Sequence, residues 1–232
     1  MKPYTYPISE MVETWQGEGP HTGYPVILVR FAGCNLNCTW CDQPDAKAFG
    51  DSPRYTLRQF DIKLRGHSYA NILLTGGEPT QHLDRDIVEV LTNYQADFSK
   101  PGLFTPKIIL ETNGTVPDRE DPTPERGIPN LAVVVSPKYG SRDDIRLRWY
   151  GNMVWLKYVV PGDWPDPDAI VDSVESLCVA PNMVYFQPQS RLTSHGESMA
   201  MSVTETWADV YRARTGFRPR LSLQTHKFVN IP

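Results

Sequence analysis

Seven short runs of apolar residues punctuate the chain: VILVRF (26–31), NILLTG (71–76), KIILET (107–112), LAVVVS (131–136), MVWLKYVV (153–160), MVYFQP (183–188) and LSLQTH (221–226). Most are continuously apolar rather than alternating, the pattern of strands covered on both faces. Between some of them apolar residues recur at helical spacing. Helices are expected over 56–64, 84–94, 167–178 and 203–215, the second with Asp84 as its N-cap and the last stopping at Gly216. Strand–helix alternation builds a mostly parallel sheet. Residues 113–130 carry four prolines and no apolar period, so that crossover is expected to be a loop. The expectation is an α/β fold: a partial, open (β/α) barrel of about six mostly parallel strands with few helices, short of the eight of a closed barrel. No repeat or linker divides the chain, so residues 1–232 read as a single domain.

Polar, glycine-bearing pieces follow the strands: AGCNLNC after the first, TGGEP after the second, ETNG after the third, SPK after the fourth and QPQ after the sixth. Ligands of open α/β sheets and barrels bind at strand C-terminal ends, so these pieces are expected to converge on one rim. Composition narrows the class. Hydrophobic residues make up 40%, charged residues 22%, and the net charge is −4. Without a basic face there is no case for a nucleic-acid partner. LAVVV, among the longest apolar runs, is far too short for a membrane span, and MKPYTYPISE lacks a signal peptide's apolar stretch. A cytoplasmic setting follows as the default.

Three of the four cysteines sit within eight residues, as Cys34-x3-Cys38-x2-Cys41. Clustered thiols in such a chain point to metal rather than to a disulfide framework. Three thiolates on a [4Fe–4S] cluster leave one iron open for a substrate or cofactor. A Cys3His zinc site completed by His67 or His82 competes, but structural zinc often takes two separated ligand pairs and no second pair exists. Cys178 stands apart in an expected amphipathic helix and reads as a small core residue.

This cysteine loop after the first strand resembles the signature of the radical S-adenosylmethionine (radical SAM) enzymes. The resemblance implies that the open iron chelates the methionine end of S-adenosylmethionine. Its reductive cleavage would then give a 5′-deoxyadenosyl radical that takes hydrogen from a substrate. Thr75-Gly76-Gly77-Glu78-Pro79 resembles the family's second motif, which holds the methionine amino group; glycines permit close backbone approach and Glu78 can accept from an ammonium, although a tight turn would look the same. Thr112 and Asn113 suit ribose hydroxyls, Ser136, Pro137 and Lys138 the cofactor's hydroxyls or carboxylate, and Gln187, Pro188 and Gln189 an adenine edge. Each would be an ordinary strand exit if it stood alone.

Substrate has to be read elsewhere. Arg30 interrupts an apolar strand on the face of Val26 and Leu28, where it needs an anionic partner: a structural carboxylate or a substrate's. Trp15, Gln16 and Gly17 open WQGEGP, which composition alone would make a glycine-rich hairpin turn. Together WQGEG, VRFAGCNLNC, TGGEP, ETNG, SPK and the final QTHKFVNIP look like the 7-carboxy-7-deazaguanine synthase family, from about residue 8 onward. That resemblance implies conversion of 6-carboxy-5,6,7,8-tetrahydropterin to 7-carboxy-7-deazaguanine with loss of ammonia, in queuosine-type pathways. It implies a homodimer and an electron donor such as flavodoxin or ferredoxin. Residues 1–24 become a substrate-binding extension and 217–232 a closing segment. Trp15, Gln16, Gly17, Arg30, Thr75 and the carboxylate of Pro232 would meet the pterin; Trp40, Asp42 and the strand-end residues would hold the cofactor. The family's threonine after Cys-Asp, a magnesium ligand, is Gln43 here. The Gln43 amide oxygen would take over the ion, or its amide would donate directly to the substrate carboxylate. Two other readings share the loop: a glycyl-radical activating enzyme, which has no use for WQGEG, and a non-enzymatic iron–sulfur or zinc protein, which has no use for GGEP and SPK.

Overall fold

The structure, a computed structural model, describes residues 4–46, 50–100, 105–115, 128–145, 153–190 and 194–229. Its strands are β1 (Tyr6–Trp15), β2 (Pro25–Phe31), β3 (Arg54–Tyr55), β4 (Ile72–Gly76), β5 (Ile108–Thr112), β6 (Leu131–Val135), β7 (Met153–Val160), β8 (Val184–Pro188) and β9 (Arg220–Leu221). Its α-helices are α1 (Leu57–Arg65), α2 (Arg85–Phe98), α3 (Pro167–Ser176), α4 (Ser194–Thr215) and α5 (Thr225–Val229). The strands form one sheet in the order β3-β1-β2-β4-β5-β6-β7-β8-β9. Strands β2 and β4 to β8 run parallel to one another, as the apolar runs predict. The sheet is open, with β3 and β9 at its edges.

Four features differ from the sequence expectation. Residues 6–15, which none of the seven apolar runs covers, form a full strand, antiparallel to β2 from Ile8↔Phe31 to Trp15↔Pro25. YPISEMVETW hides it because its buried residues, among them Tyr6, Ile8, Met11 and Thr14, are diluted by exposed Ser9 and Glu13. The run at 221–226 contributes only β9, and a helix starts at Thr225. Helix α4 begins at Ser194, upstream of the expected 203. Cys178 is exposed at φ 53, just past α3, and is not a core residue. The proline-rich crossover lies mostly outside the described residues.

Helix boundaries follow local chemistry. Thr56 and Gln59 make a reciprocal capping box at α1, while Asp84 and Asp166 cap α2 and α3. Asp84 also accepts the Tyr6 hydroxyl, tying β1 to α2. Gly216, at φ +79, ends α4 and donates its N–H to Arg212 O.

The sheet has two apolar faces because successive side chains point opposite ways. One face packs Val29, Phe31, Leu74, Leu110, Val135, Tyr158 and Phe186 beneath helix residues such as Phe60, Leu91, Val171 and Tyr211. The other carries Val26, Leu28, Leu73, Ile109, Ala132, Trp155 and Tyr185. Among the described residues no helix packs against that second face. The β1–β2 connection folds across it instead, with His21 edge-on to Trp155 and Gly19 beside Val134. Residues after β9 meet this connection: Thr225 N–H donates to Gly17 O at 3.0 Å and Gly19 N–H to Ser222 Oγ at 2.9 Å. Segments from the two ends of the sheet thus touch, so the second face is concave.

Candidate active site

Strand register decides what lines the concave face. Arg30 pairs with Thr75, Glu111 with Val134, and Lys157 with Tyr185. On each strand the apolar residues of this face come first and the polar ones last: Leu28 then Arg30, Leu73 then Thr75, Ile109 then Glu111, Trp155 then Lys157, Tyr185 then Gln187. The polar ends surround a cavity of about 480 Å³. Cys34, Cys38 and Cys41 line it from the loop after β2. So do Trp40, Asp42, Gln43, Gly76, Gly77, Thr112, Asn113, Ser136, Lys138 and Gln187 among the expected cofactor and metal residues. Trp15, Gln16, Gly17, Arg30 and Thr75 line it among the expected substrate residues. Glu78, Pro137, Pro188 and Gln189 are not in the lining. Pro232 falls outside the described residues. His82 is buried with Nε2 against Ala32 O, and His67 lies beside Glu13; neither joins the three thiols in the lining.

The glycines of TGGEP do more than admit a ligand. A Cβ on Gly76 would stand 2.1 Å from Phe31 O, and one on Gly77 would stand 2.1 Å from Gly33 O and 2.6 Å from Ala46 O. Bare backbone lets the exit of β4 lie against both ends of the cysteine loop. Gly77 N–H donates to Phe31 O at 2.9 Å and Glu78 N–H to Gly33 O at 2.8 Å; Gly33 N–H closes the loop on Ala46 O at 2.8 Å. Glu78, fully buried, accepts from Thr80 N–H and hydroxyl, the Thr112 hydroxyl and Asn113 N–H. Burial raises its pKa, against the pull of these donors. These bonds make it an anchor between Thr80, Thr112 and Asn113, just outside the cavity lining. Asn113 passes the support on: its amide donates to Asn35 Oδ1 at 3.0 Å, and Asn35 in turn donates to Thr115 Oγ1 at 2.7 Å. GGEP and ETNG thus brace the loop that carries the thiols.

The opposite wall is a charged network. Arg30 donates Nε to Glu10 at 2.9 Å, so the structural partner exists; its two Nη groups have no hydrogen bond among the described residues. Glu111 accepts from Gln16 Nε2 at 3.0 Å and Thr75 Oγ1 at 3.1 Å. Lys157 contacts Glu18 and lies 3.6 Å from Glu111. Burial opposes the charge on Lys157, but Glu111 and Glu18 overcome it and raise its pKa. Glu18 is likewise desolvated, and Lys157 pulls its carboxyl below the usual range. Gln224 donates to both Glu18 and Asp42. Asp42 also accepts from Lys227 at 3.1 Å; burial raises its pKa, but these two donors lower it overall. His226 sits on Gly17, where a Cβ would stand 2.2 Å from Nδ1. Lys138 donates to Ser136 O and Oγ and lies 5.3 Å over the Trp40 ring; burial lowers its pKa.

Sequence reasoning gave no individual role to Glu10, Lys157, Gln224, His226 or Lys227, and read Glu111 only as part of the ETNG strand end suited to ribose hydroxyls. Lys157 carried the same signal as Arg30, a cation inside an apolar strand. Gln224, His226 and Lys227 are marked only by the resemblance of QTHKFVNIP, because their site contacts are with Gly17, Glu18 and Asp42, far away in sequence.

The donor set suits the implied cofactors. Three thiols with no disulfide face one cavity from a braced loop, and burial keeps the Cys34 thiol's pKa raised, so a bound cation is what would hold it as thiolate. Trp40 gives a flat apolar ring, with Ser136, Lys138 and Gln187 as polar groups around the same space.

The family model for the radical SAM superfamily matches residues 28–151. The 7-carboxy-7-deazaguanine synthase of Methanospirillum hungatei is 35% identical over 97% of this chain and 86% of its own length. That of Haemophilus influenzae is 30% identical over 97% of this chain and 93% of its own. The crystal structure of QueE from Escherichia coli superposes with a TM-score of 0.62 at 25% identity, covering 96% of this chain and 95% of that one. Native anSMEcpe with bound AdoMet shares the fold, at a TM-score of 0.51 and 16% identity over 82% of this chain and 61% of that one.

Proposed function

The chain belongs to the 7-carboxy-7-deazaguanine synthase family of the radical SAM superfamily, and from that membership we propose that it converts 6-carboxy-5,6,7,8-tetrahydropterin to 7-carboxy-7-deazaguanine with loss of ammonia. It is an enzyme of 7-deazapurine formation. One observation carries the substrate assignment: a single cavity joins the three thiols to a wall bearing Arg30, Gln16, Glu111 and Lys157. When bound, the reduced cluster supplies the electron that cleaves S-adenosylmethionine, whose product begins the reaction by taking hydrogen from the substrate. Cys34, Cys38 and Cys41 would hold the cluster. Trp40, Ser136, Lys138 and Gln187 would seat the cofactor, while Glu78, Thr112 and Asn113 keep the loop in place.

On the substrate side the Nη pair of Arg30, without a hydrogen bond among the described residues, is suited to grip a carboxylate with two parallel bonds. Glu10 keeps that guanidinium oriented. Gln16 and Glu111 offer an amide and a carboxylate to the heterocycle's polar edge, and half-exposed Trp15 covers its face at the cavity mouth. Gln224, His226 and Lys227 line the site from the C-terminal side.

Magnesium belongs to this reading through Gln43. The backbone oxygen of Gln43 accepts from Ala46 N–H, and its side-chain amide has no hydrogen bond among the described residues. Asp42 beside it is neutralised by Lys227. The Gln43 amide oxygen would be the protein ligand, with water and substrate filling the octahedron. Full turnover in chelated buffer would reassign that amide as a direct donor to the substrate carboxylate. A homodimer, a cytoplasmic setting and reduction by a flavodoxin or ferredoxin complete the proposal. Among the described residues no helix is long and apolar enough to cross a membrane.

The test is anaerobic reconstitution followed by turnover with the carboxylated pterin. Iron at about four per chain, with 5′-deoxyadenosine, ammonia and the deazaguanine acid as products, is the expected result. Zinc in the purified protein and no cofactor cleavage would overturn it.

A further inference from the structure

Lys157 is 5% exposed, in the middle of β7, and its ammonium reaches the cavity between two carboxylates. Glu18 comes from the β1–β2 connection and Glu111 from β5, so three distant segments meet at one charge. Each carboxylate is further fixed by neutral donors: Gln224 on Glu18, and Gln16 and Thr75 on Glu111. Of the other charges of the cavity, Arg30 is matched with Glu10 and Lys227 with Asp42, while Lys138 is held by Ser136 and has no ion pair among the described residues. The trio thus holds two negative groups and one positive, leaving one unit of negative charge toward the ligand space. Without the cation between them, two partly buried carboxylates that both reach one ammonium would repel each other.

We propose that Lys157 is a positioning residue for substrate recognition, whose ammonium sets Glu18 and Glu111 as a fixed carboxylate pair offered to the N–H donors of a flat, uncharged amino-pyrimidinone edge. The proposal rests on the pterin reading for the identity of that edge. Such an edge carries adjacent N–H groups that match a carboxylate's two oxygens, and a carboxylate accepts only while ionised. The groups facing the trio are Asp42 on the cysteine loop, Lys138 after β6, and His226 and Lys227 on α5, with the Glu10–Arg30 pair on the adjoining wall. Among the described residues none of them is ion-paired with Glu18 or Glu111.

The experiment measures binding of 6-carboxypterin to the reconstituted holoenzyme with S-adenosylmethionine present, from pH 6 to 9, for the wild type, Lys157→Met and Lys157→Arg. Iron content and thermal unfolding check that each variant is intact. Lys157→Met is expected to weaken binding roughly tenfold at pH 7 and to recover part of it as pH rises, because alkali restores the second carboxylate's charge. Lys157→Arg, keeping a cation, is expected to lie close to the wild type in both affinity and pH profile. Wild-type affinity in Lys157→Met, or equal and pH-independent loss in both variants, overturns the proposal. Absence of binding by the wild type would count against the pterin reading alone. Lys157 would then be judged by infrared titration of the ligand-free carboxylates, where Lys157→Met must raise one glutamate's midpoint relative to the wild type; an unchanged midpoint refutes it.

Discussion

Gly77→Ala isolates the bracing of the cysteine loop from everything else in the site. Gly77 has no left-handed φ, so the cost of a methyl group there is steric. The new Cβ would lie 2.1 Å from Gly33 O, 2.5 Å from Gly33 C and 2.6 Å from Ala46 O, all backbone atoms. Contact between such atoms is comfortable at about 3.5 Å, so the two loop ends must retreat by about 1 Å or more. They cannot turn aside as a side chain would. Three hydrogen bonds span this junction: Gly77 N–H to Phe31 O, Glu78 N–H to Gly33 O and Gly33 N–H to Ala46 O. Losing one or two of them at about 1 kcal/mol each, with overpacking strain of about 1–3 kcal/mol, gives a destabilisation of about 3 kcal/mol. In a chain of this size that lowers the unfolding midpoint of the cluster-free protein by about 6–12 °C. Thermal unfolding reads this directly, and iron per chain after reconstitution reads the displacement of the thiols; both should fall. Gly140→Ala is the control, since a Cβ there meets nothing within 4 Å and should cost less than about 0.5 kcal/mol. Wild-type stability together with full iron loading in Gly77→Ala would refute the bracing argument.

Two further perturbations test the electrostatics through stability. Glu18→Gln removes one of two carboxylates on Lys157 and should cost about 2 kcal/mol at pH 7, less than a fully orphaned buried charge because Glu111 remains. The Glu18 carboxyl is held below its ordinary value of 4.5, so its contribution is present above that pH and disappears as acid protonates it; a gap between variant and wild type that persists undiminished at pH 3 in urea titrations would contradict the assignment. His21 is buried between Trp155 and Tyr24, its Nδ1 lacks a partner among the described residues, and burial, aided by Lys107, lowers its pKa to about 4. The unfolded chain therefore takes up the proton first as pH falls from 6.5, and the folded state loses ground until about pH 4. His21→Phe should match the wild type at pH 7 and exceed it by about 1–3 kcal/mol near pH 4. Parallel stability–pH curves would show that His21 does not titrate as described.

The parallel core was legible because its strands are buried on both faces and so read as unbroken apolar runs. VILVRF through MVYFQP all became strands. β1 was not legible, since its partner strand and not its own pattern makes YPISEMVETW extended. LSLQTH failed for the converse reason: it has strand-like residues but only two of them find a neighbour to pair with. Cys178 failed because α3 ends at Ser176, before the apolar spacing that suggested a longer helix runs out.

For the site, residue type and spacing alone marked Cys34, Cys38 and Cys41 as a candidate metal-binding loop, because three thiols in eight residues are a chemical statement wherever the chain goes. Arg30 and Lys157 were equally visible as charges in apolar strands, but a cation in a strand does not say which carboxylate it meets. Only the tertiary structure decided that Arg30 meets Glu10, that Lys157 stands between Glu18 and Glu111, and that Glu78 is turned away from the cavity to hold Asn113 and Thr112. The physical reason is range. Apolar periodicity and metal-ligand spacing act over neighbouring residues and are written in the local sequence. Charge pairing and close backbone approach, such as Gly77 against Gly33 and Ala46, depend on which strands the sheet sets side by side and how far it curls.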